Sequence, residues 1–151
     1  SIIDKIEYAT KILTELFEND ELQKKLNPLN IRIAYHTPCH MEKLGWSLYS
    51  IALLRLVPGL ELIELDSQCC GIAGTYGFKK ENYPTAQGVG QMLFHQIEQA
   101  GVDLVVTDCE TCKWQIEMST RVKAENPISV LADALDAEET EKKILFDNDN
   151  R

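Results

Sequence analysis

Five cysteines occupy three short segments of this chain: His36-Thr37-Pro38-Cys39-His40, Ser67-Gln68-Cys69-Cys70-Gly71 and Asp108-Cys109-Glu110-Thr111-Cys112. No cysteine lies outside these segments. Scattered cysteines are usually buried small hydrophobes. Here each group instead follows an apolar, strand-like run and stands where a turn or helix begins. Three loop tips of this kind can meet at one point and hold something that thiolates bind. Cys109 and Cys112 precede a helical pattern, whose free N–H groups would favour thiolates and anionic clusters. Cys39 stands similarly before the helical pattern that begins at Leu44. Adjacent cysteines such as Cys69 and Cys70 rarely share one ion in a tetrahedral site, so they suit a polynuclear cluster or a site in which one member points elsewhere. Gly71 would let the backbone pass close to inorganic sulfide and donate N–H bonds to it.

Other chemistries remain open at this level. A mononuclear zinc site would take four of the five cysteines. Cys109-Glu-Thr-Cys112 is a C-x-x-C pair of the thioredoxin kind, although a lone C-x-x-C is a weak signal. Cys69 or Cys70 could instead fill core space. His36 and His40 flank Cys39; His40 could cap the next helix or bond a cluster sulfur, but a structural role suits it better. His95 belongs to a helical stretch. The run Gly71 to Gly77 lacks the Lys-Ser/Thr of a phosphate loop and is not G-x-G-x-x-G, so it reads as a flexible collar around the cysteines. Phe78-Lys79-Lys80 is a small basic patch, as well explained by a solvated loop as by a partner. No Ser-His-Asp set and no acid/base carboxylate pair stands out.

The elements that must position these residues follow from periodicity. Apolar residues from Ile2 to Leu26 fall close to a helical stripe, which Asn27-Pro28 breaks. Ile31–Tyr35 reads as a strand, Leu44–Val57 as a helix closed by Pro58-Gly59, and Leu60–Leu65 as a second strand. A long loop from Asp66 to Tyr83 follows. Pro84 suits the first turn of a helix reaching about Ala100, and Gly101 suits its C-terminal cap. Val102–Thr107 is a third strand. The segment after Cys112 reads as a helix to about Ala124, Ile128–Val130 as a short fourth strand, and Leu131–Leu135 as a last turn or helix. Strands alternating with helices of this length predict an open, mostly parallel α/β sheet flanked by helices. Ligands of such sheets sit beyond the carboxyl ends of the strands, where Cys39, Cys69, Cys70 and Cys109 fall. The expected organisation is an N-terminal helix or linker over 1–30, a cysteine-rich domain over 31–136 and a charged tail over 137–151.

The chain has 151 residues, 44% of them hydrophobic, enough for one domain with its own core. Its net charge of −9 and its pI of about 4.8 disfavour nucleic acid as a partner and repel anionic lipid headgroups away from local patches. Five is an odd number for a disulfide framework, and nothing signals secretion; clustered cysteines in a reducing, cytoplasmic setting more often bind metal or do redox chemistry. The longest apolar stretch, Leu44 to Leu60, is interrupted by Ser47, Ser50 and Arg55, which argues against a spanning helix. The chain opens on Ser1 and a helical pattern begins at once, which reads as a domain of a longer polypeptide.

Taken together, Cys39, Cys69-Cys70-Gly71 and Cys109-x-x-Cys112 resemble the cysteine-rich CCG domain, found in the B chain of heterodisulfide reductase and in iron–sulfur components of respiratory dehydrogenases. The segments 36–40, 66–84 and 107–119 are similar to the C-terminal CCG repeat of the iron–sulfur components of anaerobic glycerol-3-phosphate dehydrogenases. The resemblance covers about residues 31 to 136. It implies a 4Fe–4S cluster, cubane or of the non-cubane kind that heterodisulfide reductase uses, with Cys39, Cys69, Cys70, Cys109 and Cys112 as ligands; zinc, from the cysteine count, is the expected substitute. It further implies a non-catalytic electron-transfer role in a glycerol-3-phosphate dehydrogenase complex of anaerobic respiration. Electrons would come from flavoprotein dehydrogenase subunits and go to the membrane quinone pool, with the complex held at the inner face of the cell membrane. Such proteins also carry ferredoxin-like clusters and a first CCG repeat upstream, which this chain does not include. The alternatives are a zinc-stabilised interaction module and a thiol/disulfide redox domain of the heterodisulfide reductase type.

Overall fold

A computed structural model of the protein describes residues 8–18, 25–66 and 68–135. The elements, in chain order, are helix α1 (Ala9–Phe17), strand β1 (Arg32–Tyr35), a one-turn helix α2 (Cys39–Glu42), α3 (Ser47–Arg55), β2 (Glu61–Glu64), α4 (Tyr83–Ala100), β3 (Leu104–Val106), α5 (Glu110–Ser119), β4 (Lys123–Glu125) and α6 (Pro127–Ala134).

The four strands form one parallel sheet in the order β2-β1-β3-β4. The open parallel α/β architecture expected from the alternating pattern is therefore present. The chain leaves β1 toward β2 on one side and returns to β3 on the other. The carboxyl ends of β1 and β3 thus flank a topological switch point, where such sheets leave a crevice.

Alternation along the strands sorts the core onto two faces. Ala34 and Val105 pack with Ile72, Leu93, Ile97 and Ile116 under α4 and α5. Ile33, Tyr35 and Val106 pack with Ile51, Leu54 and Val130 under α3 and α6. Phe17 of α1 joins Leu53, Val57 and Leu131 on that second face.

Four boundaries differ from the sequence expectation. The helical stripe of Ile2 to Leu26 is a helix over Ala9–Phe17, while Leu26 forms an antiparallel bridge with Leu135. Residues 1–7 and 19–24 lie outside the described residues, as does the charged segment 137–151. The helix expected over Leu44–Val57 is confined to Ser47–Arg55, because Gly45 turns the chain at φ +67° after α2. The helix expected to reach Ala124 ends at Ser119, where the Thr120 hydroxyl turns back to donate to the Ile116 carbonyl at 2.9 Å. Lys123–Glu125 is then the fourth strand, and Ile128–Val130, expected as a strand, is helical. Two features missed in the sequence explain that last exchange. Asn126 caps α6 by accepting from the Ile128 N–H at 3.0 Å, with Pro127 in the first turn. Pro127, Val130, Leu131 and Ala134 are also buried at helical spacing.

By contrast, α4 starts at Tyr83-Pro84 and stops at Gly101, which takes a left-handed conformation (φ +59°, ψ 45°) as its sequence suggested.

Candidate metal centre

All three cysteine segments lie at the carboxyl edge of the sheet. Tyr35 ends β1, and Cys39 opens α2 four residues later. Val106 ends β3, and Cys109 is the N-cap residue of α5 in extended conformation, beside the first turn of that helix. Cys112 lies one turn into α5 and is buried. Cys69 and Cys70 arrive from the segment after β2.

The cysteines form two neighbouring groups. Buried Cys70 and Cys112 bring their sulfurs to 3.1 Å, well beyond a disulfide bond. The Cys109 sulfur adjoins Cys112 and lies 3.2 Å from the Thr111 hydroxyl. On the solvent side, Cys39 and Cys69 are neighbouring, exposed free thiols. The Gly71 N–H donates to the Cys69 sulfur at 3.3 Å.

This geometry changes the role assigned to Gly71. Its φ is +85°, and a Cβ there would stand 2.0 Å from the Ala86 carbonyl oxygen of α4. Gly90 of the same helix faces the Cys70 carbonyl oxygen, which a Cβ would approach to 2.5 Å. Glycine is thus required because the Cys70-Gly71 backbone is pressed onto α4. The run from Gly71 to Gly77, expected as a collar, is part of this packing: Ile72 and Gly77 are buried, and short turns at Tyr76–Phe78 and Lys80–Asn82 lead into α4. Phe78, directly after that run, packs against Trp114 of α5 with ring centroids 5.8 Å apart.

The electrostatics favour thiolates in the inner group. The Cys109 thiol is lowered to about 4, first by the hydrogen bond from Cys112 and then by the Thr111 hydroxyl and the backbone N–H groups of Cys112 and Thr111, against the cost of burial. The Cys70 thiol is lowered by Cys112, by His36 and by the Ile72 N–H. Cys112 is pushed up by both neighbours and by burial, so the last proton of the three rests on it. Burial raises Cys69, partly offset by the Gly71 N–H.

His36 is the residue that sequence reasoning undervalued. It is only 2% exposed, and its ring, Cys70 and Cys112 offer ligand atoms all within 4.8 Å of one another. His40, the neighbour given a possible role, is exposed. The signal for His36 was its place directly after the buried strand Arg32–Tyr35. Among the described residues, His36 Nε2, Thr107 Oγ1 and both amide atoms of Gln115 are buried without a hydrogen-bond partner. Buried polar atoms are nearly always satisfied, so an orphan beside two thiols is what a bound group would complete. Soft sulfur donors, N–H and O–H groups aimed at them, and this orphan together fit a thiolate-bound metal or iron–sulfur group.

A second arrangement lies next to Cys109. The Asp108 carboxylate accepts from Tyr8 at 2.5 Å, Tyr35 at 2.5 Å and Ser50 at 2.8 Å. Burial and the neighbouring carboxylate both push the two phenols well above their ordinary range, so they remain neutral donors. Nothing in the linear sequence joins these four residues.

Among the described residues, no helix is long and apolar enough to cross a membrane.

The sequence of this site has known relatives. A family model described as a cysteine-rich domain, CCG, matches residues 33–117. The C chain of the anaerobic glycerol-3-phosphate dehydrogenase of Escherichia coli K12 is 64% identical over 132 residues, which is 87% of this chain and 33% of that protein. An uncharacterized iron–sulfur protein of Methanocaldococcus jannaschii is 34% identical over 131 residues, 85% of this chain and 26% of that protein. The B chain of the fumarate reductase (CoM/CoB) of Methanothermobacter marburgensis is 33% identical over 110 residues, 71% of this chain and 22% of that protein. The chain spans a third or less of the length of these relatives. With the Cys-Cys-Gly turn on α4 and the C-x-x-C pair at the head of α5, both inside the matched region, the chain belongs to the cysteine-rich CCG domain family.

Proposed function

We propose that this chain is the electron-transfer iron–sulfur domain of an anaerobic glycerol-3-phosphate dehydrogenase complex, with a 4Fe–4S cluster held by Cys39, Cys69, Cys70, Cys109 and Cys112. The observation that carries this reading is the convergence of three inner thiols, Cys70, Cys109 and Cys112, with N–H and O–H donors aimed at them. The 64% identity to a component of a glycerol-3-phosphate dehydrogenase supports the choice of complex.

Cys70, Cys109 and Cys112 would supply the buried ligands, and Cys39 and Cys69 the solvent-facing ones. The Gly71 N–H and the head of α5 would stabilise sulfur charge. When bound, the cluster would take up and release an electron. Burial and hydrogen bonds to sulfur would set its potential. In this reading, flavin and glycerol 3-phosphate bind to flavoprotein partner subunits. Electrons leave toward the membrane quinone pool from a cytoplasmic complex peripheral to the inner face of the membrane. Ferredoxin-like clusters and a first CCG domain lie upstream in the same polypeptide, and the domain itself spans about 31–136.

A second reading, a single zinc ion, is favoured by one observation: His36, Cys70 and Cys112 already bring three ligand atoms within 4.8 Å of one another. Iron, acid-labile sulfide and zinc per chain, measured on protein reconstituted without oxygen, separate the two. The cluster reading expects about four irons and four sulfides. One zinc and no iron under the same conditions would replace it with the zinc module.

A further inference from the structure

We propose that Asp108 is the positioning residue of the loop that carries Cys109 and Cys112, clamping it to the rest of the fold through three hydroxyls and placing a fixed negative charge one peptide bond from Cys109.

The clamp gathers four parts of the chain. Tyr8 immediately precedes α1, Tyr35 is the last residue of β1, Ser50 lies inside α3, and Asp108 follows β3. Their contacts span 100, 73 and 58 residues of sequence. The donors are themselves held. Tyr8 stacks on Trp46 at 5.3 Å with its hydroxyl oxygen 3.4 Å from the Met41 sulfur, and Ser50 Oγ lies 3.3 Å from Thr10 Oγ1. Among the described residues no cation pairs with Asp108. Hydroxyl donors hold a carboxylate in place. A surface ornament would not need three donors from three elements.

That the positioned loop carries cluster ligands rests on the function proposed above; the clamp itself does not. Hydrogen exchange on the metal-free full chain tests the clamp directly. Asp108→Asn and Tyr35→Phe are expected to speed exchange of amides 109–113 about tenfold, while amides 93–97 in the middle of α4 keep wild-type rates. Unchanged rates at 109–113 in both variants would overturn the proposal. If Asp108→Asn unfolds throughout, Tyr8→Phe, which removes a single donor, decides on the same two segments.

On iron-loaded protein the reduction potential supplies a readout that packing alone would not move in this way. Asp108→Asn removes a charge and is expected to raise the potential. Tyr35→Phe removes a donor, leaves the carboxylate more exposed electrostatically, and is expected to lower it. Shifts of the same sign would overturn the charge assignment. A wild-type chain that takes up no iron would defeat the cluster reading while the exchange experiment still decides the clamp.

Discussion

Cys112→Ala should change the chemistry of two other cysteines and empty the site. Hydrogen bonding with Cys112 is the leading cause of the lowered Cys109 and Cys70 thiols. Without it, both should move back toward the ordinary thiol value near ~8.5. The clearest readout on metal-free protein is the pH profile of alkylation, mapped to individual cysteines by mass spectrometry. In the wild type, Cys109 is already thiolate above its value of about 4, so its rate should be flat from about pH 6 to 8. In the variant the rate should rise with pH over the same range. Profiles are the better comparison because a lower thiol pKa also weakens the nucleophile, so absolute rates partly cancel. In reconstituted protein, iron per chain should fall at least several-fold. A flat Cys109 profile in the variant, or undiminished iron, would show that Cys112 does not hold this group of thiols together.

Gly71→Ala should destabilise the fold before it affects any metal. Two costs add. A non-glycine residue in left-handed backbone costs roughly 1–2 kcal/mol. A Cβ 2.0 Å from the Ala86 carbonyl oxygen must also displace the Cys70 turn or α4, an overpacking cost of roughly 1–3 kcal/mol. The sum, about 2–5 kcal/mol, is a large share of a stability of about 5–15 kcal/mol. For a chain of this size it corresponds to a fall in Tm of roughly 5–15 °C. Metal-free protein should show the same fall, since the contact is between backbone segments. A Tm within about 2 °C of wild type would mean that the Cys70-Gly71 backbone does not rest on α4.

These two residues also show what the sequence made legible. The cysteine spacing and the strand-helix alternation pointed to one edge of a parallel sheet, and the three segments meet there. Local punctuation was readable wherever one residue decides: Pro84 starts α4 and Gly101 ends it. It failed where two signals competed. Ile128–Val130 has strand composition, but Asn126 and Pro127 make it the first turn of a helix. Lys123–Glu125 has a single buried residue, Ala124, and joins the sheet only by pairing with β3. The need for Gly71 was visible, but its cause was not, because Ala86 is fifteen residues away on another element. The same holds for His36, whose importance lies in its closeness to Cys70 and Cys112, and for Asp108, whose partners Tyr8, Tyr35 and Ser50 come from separate elements. Spacing along a chain reports ligands that cluster locally; it does not report side chains that long-range packing brings to them.

A redox-active iron–sulfur group at the carboxyl edge of this sheet is tested most directly by a reductive titration of the anaerobically reconstituted chain, followed by visible absorption and electron paramagnetic resonance. The expected result is bleaching of a broad visible band and a paramagnetic signal that change reversibly with one electron per chain. Protein that loads metal yet shows no reversible one-electron change would contradict the claim.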